Sequence, residues 1–227
     1  MSSLGAFVVI GAGPGLGAAA ARRFGHEGHP VGLIARSAEH LDMMAADLAS
    51  QGLTTAIEAA DGTGEQALAA AVDGLRERLG PIEAMLFSPR PSLEWIKPVL
   101  ETAPADAENA LALSVIATIA AVRAVLPDLR HHKRGTLLFT TGGAAVEPHP
   151  DRAVSGIAYA AESAYVRMLH NALADDGVYA AQMPSSAPSG PAPDPNRTTS
   201  PGDCGSSTPH ATNRCSSCAD TTPGRAP

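Results

Sequence analysis

An apolar run, Phe7-Val8-Val9-Ile10, breaks into the glycine turn Gly11-Ala12-Gly13-Pro14-Gly15 and then opens an alanine-rich stretch through about Phe24. A strand that turns on glycines into a helix is dinucleotide-binding architecture, because each part meets a separate physical need. Gly11 permits the tight turn, Gly15 lets backbone approach a pyrophosphate, and the small residues Gly17 and Ala18 let the helix pack against the strand. The helix N-terminus adds unpaired N–H groups and the positive end of the helix dipole. Two glycine registers fit, Gly11, Gly15 and Gly17 or Gly13, Gly15 and Ala18, so Gly11, Gly13, Gly15, Leu16 and Gly17 are all expected in the cofactor-binding turn.

A second apolar strand, Val31-Gly32-Leu33-Ile34-Ala35, completes a βαβ unit of the expected size. It ends in Ala35-Arg36-Ser37, with no Asp or Glu at the position that commonly grips an adenosine ribose. A carboxylate there accepts hydrogen bonds from the ribose 2′-OH, whereas an arginine accommodates a 2′-phosphate. NADP(H) is therefore expected over NAD(H), held by Arg36 and Ser37. The competing reading makes Arg36 a solvated residue, with Ser37 as a helix N-cap and Glu39 in the first turn.

Further along, Ser37–Ser50 reads as a helix with Leu41, Met44, Ala45 and Leu48 on one face, and 54–60 as a third strand. Thr63 and Gln66 form a capping box for a helix to about Leu79. A fourth strand, 82–87, meets the irregular Ser88-Pro89-Arg90-Pro91. A long helix from Ala105 to about Arg130, a strand over 136–140, a helix over 157–175 and a strand over 178–183 complete the pattern. Such alternation implies an α/β fold, a doubly wound parallel sheet of about six strands with helices on both faces.

The 227 residues suit one such domain, and the net charge of −7, with no basic stripe, argues against a nucleic-acid partner. The N-terminus has no basic stretch ahead of its apolar run, so it reads as a first strand rather than a signal peptide. The most apolar helix, around 110–126, reads as too short to cross a bilayer and carries Arg123. A cytoplasmic protein without membrane contact is the expectation. From Pro184 the composition changes: the last 44 residues hold nine of the 19 prolines and all three cysteines, but no Leu, Ile, Val, Phe, Tyr or Trp. Such a segment builds no core, so the domain is expected over 1–183 and a disordered low-complexity tail over 184–227. Cys204, Cys215, Cys218 and His210 make a weak metal set, and no metal is expected. The tail's residues are those that GC-rich codons give out of frame, so a frameshift after about residue 183 stands beside a genuine tail as its origin.

Taken together, these residues resemble the short-chain dehydrogenase/reductase family from Ala6 to about Met183. The carriers are Gly11, Gly15 and Gly17, Asp61 after the third strand, the helix ending Arg123-Ala124-Val125-Leu126-Pro127, and the segment Gly156-Ile157-Ala158-Tyr159-Ala160-Ala161-Glu162-Ser163-Ala164. The resemblance implies an NADP-dependent oxidoreductase acting on a small-molecule carbonyl or alcohol, with Asp61 at the adenine and Ser88 along the cofactor. It also implies homo-oligomers paired through the helices around 105–130 and 157–175.

The same resemblance gives Tyr159 the proton transfer to or from the substrate oxygen. A family lysine four residues later lowers the tyrosine pKa and holds the nicotinamide ribose; here that residue is Ser163. Without the charge, a phenol of ordinary pKa near 10 stays protonated at neutral pH, which favours reduction over oxidation. The family's serine falls at about Gly142, leaving Thr141 or Thr140 to supply a hydroxyl, with Ser155 beside the added loop 146–152 as a further candidate. The family's helix asparagine maps to Ser114, and its Asn-Asn-Ala-Gly segment to Phe87-Ser88-Pro89-Arg90. The catalytic set expected is Tyr159, Thr141 and Ser163, with Arg90, His149 and Asp151 read as loop residues. The rival is a nucleotide-binding protein without redox turnover.

Overall fold

The computed structural model describes residues 4–185. Six strands, β1 (Ala6–Ile10), β2 (Val31–Ala35), β3 (Thr55–Ala59), β4 (Ile82–Phe87), β5 (Gly135–Gly142) and β6 (Val178–Ser185), form one sheet in the order β3-β2-β1-β4-β5-β6. Every pairing is parallel. The helices are α1 (Leu16–His26), α2 (Ala38–Ser50), α3 (Glu65–Leu79), α4 (Pro104–Leu111), α5 (Ala117–His132) and α6 (Ala153–Ala172).

Helices on both faces explain why β1 is apolar at every position: all five of its residues are buried. Val8 and Ile10 point into a core with Met85, Phe87, Leu137 and Phe139 under α3, α5 and α6. Phe7 and Val9 point the other way, into a core with Leu33, Leu86 and the buried faces of α1 and α2. There Phe7 stacks on Phe24 of α1 at a ring separation of 3.9 Å.

Several local expectations are corrected. The Thr63–Gln66 capping box does not form, because Gly64 caps α3 without a side-chain bond. Thr63 turns back instead, its N–H and hydroxyl both donating to the Asp61 carboxyl at 3.0 and 2.9 Å. The long helix is not uniform: a π-helical turn, Ala112–Ile116, separates α4 from α5. The helical run Pro104–His132 is also long and apolar enough to cross a membrane by length and composition, contrary to the shorter reading. Its apolar side is a core contact, with Ala117, Ala121, Val125 and Leu129 buried beneath α3. α6 begins four residues earlier than expected, after the short turn Pro150–Arg152. β6 continues two residues past the expected strand end by pairing Pro184 and Ser185 with Thr141 and Gly142. The rest of the expected tail, with Cys204, His210, Cys215 and Cys218, lies outside the described residues.

Candidate active site

In a doubly wound sheet the crevice opens at the C-terminal ends of the strands where the order reverses, here between β1 and β4. The glycine turn sits at that point. Gly11 adopts φ +82°, and a Cβ there would stand 2.5 Å from the backbone of Pro89. Only glycine combines that conformation with that approach. Its N–H and that of Ala12 donate to the Ile34 carbonyl at 2.9 and 3.0 Å, tying the turn to β2. Gly15, the N-cap of α1, has no atom within 4 Å of where a Cβ would lie, so its surface is open. A Cβ at Gly17 would lie 3.3 Å from Val9 Cγ1, which makes Gly17 the packing glycine. Gly13 is uncrowded. Exposed Leu16 begins a helix with no acidic residue in its first turn, so no side-chain charge offsets the positive end of its dipole, while the Ala18 N–H donates to the Gly13 carbonyl at 3.0 Å.

Beside this turn, at the ends of β2 and β3, stand Arg36, Ser37 and Asp61. Arg36 is exposed. Ser37 caps α2, its Oγ accepting from the His40 N–H at 3.3 Å. The Thr63 backbone and hydroxyl donors hold the Asp61 carboxyl below its ordinary value, and the Arg36 charge adds to this. Arg36 and Asp61 thus share one field at the rim.

On the other side of the switch point, Thr140 Oγ1 donates to Ser88 Oγ at 3.0 Å and joins the ends of β4 and β5. Thr141 is buried, facing α6. The Gln182 amide on β6 donates to Thr141 Oγ1 at 2.7 Å and to Ser163 Oγ at 2.6 Å. Ser163 donates in turn to the Tyr159 carbonyl at 2.7 Å. Both hydroxyls the sequence nominates beside Tyr159 therefore accept from one amide, and Ser163 is used on both sides.

Tyr159 itself lies against Gly142, where an added Cβ would stand 2.9 Å from its Cε2. The ring occupies the approach that a side chain at residue 142 would need. Burial pushes the phenol above its usual value, and the charge of Glu162 pushes it further. Glu162 is itself 1% exposed, and burial pushes its carboxyl up to about 8. A small cleft next to Tyr159 is lined by Trp95, Ile96, Ala110, Val154 and Ala158, with Ser114 and Ser155 among its polar groups. Ser114 belongs to the π-helical turn, and its carbonyl accepts from Thr118 Oγ1 at 2.6 Å. Lys97 Nζ donates to both Asp106 carboxyl oxygens at 2.9 Å, and Val99 N donates to the Pro150 carbonyl at 2.8 Å, so the loops walling the cleft are fastened to α4 and to each other.

The structure thus gathers the glycines, Arg36, Ser37 and Asp61 along one part of the crevice, and Ser88, Thr141, Tyr159 and Ser163 along the other. Arg90, His149 and Asp151 are exposed on loops. Sequence reasoning missed two residues, Gln182 and Glu162. The spacing Val154, Ala158, Glu162, Val166 was the available signal, because residues four apart share a helix face.

Comparison with known proteins agrees with this architecture. The chain is 26% identical to a fatty acyl-CoA reductase of Mycobacterium tuberculosis over 179 residues, which is 78% of this chain and 60% of that protein. It thus spans less than two thirds of the length of that curated relative. L-sorbose reductase from Gluconobacter frateurii, solved with NADPH and L-sorbose, superposes with a TM-score of 0.74 at 22% identity, covering 79% of this chain and 68% of that one. An NAD+-bound xylitol dehydrogenase gives 0.74 at 23% identity, covering 79% and 68%. These likenesses show the fold. The sequence model of the short chain dehydrogenases matches residues 6–184, which takes in all six strands up to Pro184, and the chain belongs to the short-chain dehydrogenase family.

Proposed function

We propose that the chain binds NADP(H) and reduces a carbonyl group of a small molecule, with Tyr159 as the proton donor. The observation that carries this reading is the division of labour among three glycines: Gly11 turns, Gly15 leaves space and Gly17 packs. That set fits a pyrophosphate at the α1 N-terminus, with Gly13 and Leu16 completing the cradle. Solved relatives carry NADPH in one case and NAD+ in another, so the choice of cofactor rests on Arg36. Arg36 offers a cation to a 2′-phosphate, Ser37 a hydroxyl, Asp61 a carboxylate near the adenine, and Ser88 a hydroxyl along the path to Tyr159.

A nicotinamide held there would supply the hydride that the carbonyl carbon takes up. Tyr159 gives its phenolic proton to the oxygen, and the product is an alcohol. A phenol held above its usual pKa stays protonated throughout the neutral range, so the phenolate that alcohol oxidation needs is scarce and reduction is the favoured direction, although the same shift makes the phenol a weaker acid. Gln182 holds Thr141 and Ser163 in place, and the small cleft beside Tyr159 lies where the substrate would approach.

A second reading, nucleotide binding without turnover, is favoured by Gly142 and Ser163 standing where the family's serine and lysine fall. One experiment separates the two. Thermal unfolding with NADPH or NADH reports binding, since a ligand at a hundredfold over its Kd adds about 2.7 kcal/mol of apparent stability. NADPH oxidation with a ketone and aldehyde panel then reports chemistry. An NADPH-specific rise in Tm with oxidation supports the reductase, and a rise without oxidation supports the second reading. No rise with either nucleotide refutes both.

A further inference from the structure

One face of α6 carries buried positions a turn apart, Val154, Ala158, Glu162 and Val166, exposed by 2, 2, 1 and 3%. Three of the four are apolar. The fourth is a carboxyl whose Oε1 is buried with no hydrogen-bond partner among the described residues. An ionised carboxylate without donors is costly to bury, so this group holds its proton well past the usual carboxylate range.

The elements packed on α6 supply no counter-charge. Asp106 of α4 is taken up by Lys97, and Glu108 of the same helix is exposed. The π-helical turn, the turn Gly143–Ala145 and β5 carry no charged residue, and the one titratable group on β6, Tyr179, is exposed. Asp151 and Arg152 ahead of α6, and Asp175 after it, are exposed, while Asp176 is engaged by Arg130. Arg123 of α5 acts on Tyr165. On α6 itself Arg167 and His170 are exposed, and Tyr159 stands three residues before Glu162, a spacing that places two side chains side by side.

We infer that Glu162 is a positioning residue for Tyr159: a buried carboxyl, one residue before the site of the family's lysine, that holds the proton on the Tyr159 phenol by its charge. The electrostatic link stands on its own and acts above about pH 8, where Glu162 is ionised; its catalytic meaning, suppression of the phenolate and so of alcohol oxidation at alkaline pH, rests on the reductase reading. The sign is opposite to that of a lysine, which draws a phenol toward ionisation. At low pH Glu162 is neutral and Tyr159 feels burial alone. Once Glu162 ionises, losing the phenolic proton would set two negative charges together.

The test is an NMR titration of ¹³C-labelled tyrosine in the whole chain, without cofactor or substrate, with Tyr159→Phe used to assign the signal. In Glu162→Gln the Tyr159 midpoint is expected to fall below that of the unmodified chain. An unmoved midpoint in the folded variant overturns the inference. A carboxyl titration of the unmodified chain is the second measurement. One glutamate titrating near pH 8 supports the inference, and a full set titrating in the ordinary carboxylate range overturns it. Neither measurement needs nucleotide, so absent NADPH binding defeats the reductase reading alone.

Discussion

The two sides of the crevice are built from different material. On the β1–β3 side the work is done by backbone: a turn at φ +82°, an open glycine and a helix end without acidic residues. On the β5–α6 side it is done by side chains, and those present are largely engaged with one another through the Gln182 amide. A phosphate site needs N–H groups and empty space, which many sequences supply provided the glycines stay. A proton-transfer site needs particular functional groups, and substitutions at Gly142 and Ser163 alter it while leaving the sheet intact. On the proposed function, binding and chemistry are thus separable.

That separation can be broken from either side. The largest effect is expected from Tyr159→Phe, which removes the proposed proton donor: NADPH-dependent ketone reduction should fall by about 10²–10⁴-fold, while the NADPH-induced rise in Tm persists. Unchanged turnover would assign the proton to another group. Gly11→Ala attacks the other side. It forces a side chain into a left-handed conformation against Pro89, at a cost of roughly 2–5 kcal/mol, and should remove both stability and the response to NADPH in thermal unfolding. A variant as stable as the parent would show that the turn relaxes. Arg36→Ala is the mildest: the preference for NADPH over NADH should drop by about 10–100-fold through loss of a charge-assisted hydrogen bond. Titration calorimetry with both nucleotides measures it, and an unaltered ratio would remove Arg36 from the 2′-phosphate.

Stability should also depend on pH through the second side. Glu162 holds its proton more tightly in the folded chain than in the unfolded one. Its stabilising contribution is therefore complete below the ordinary carboxylate value and is lost as pH rises through about 8. The Tm should decline across that window, and the decline should flatten in Glu162→Gln when both are followed by calorimetry. Parallel curves would mean that the carboxyl is solvated.

Much of the fold was legible because parallel strands buried on both faces read as unbroken apolar runs, as in Phe7–Ile10 and 84–87, and because helices between them repeat at a different period. The glycine turn was legible because its geometry admits few other residues. Less legible were features set by what packs against a residue. Glu162 looks like a surface glutamate in an alanine-rich helix until the burial of Val154, Ala158 and Val166 shows its face. Gln182 lies in a strand, and its amide gains meaning only once β5 and α6 stand beside it. The π-helical turn at Ser114 has no residue marker of its own, and the Thr63–Gln66 box lost to the nearer Asp61 acceptor.

The place of β1 has a consequence for the order in which the molecule can be assembled. β1 leaves a ribosome well before β4, yet it lies inside the sheet and pairs on one side with β4, so that Ala6 sits beside Ile82. β2 can join it early, but the other edge must wait until β4 has been synthesised, and that delay exposes an apolar strand. The proposed nucleotide site inherits the delay, because Gly11 is seated against Pro89 at the far end of β4. A nascent chain that has made its glycine turn has therefore not yet set that turn against its β4 neighbour, and the proposed phosphate site would be complete only after β4 has joined.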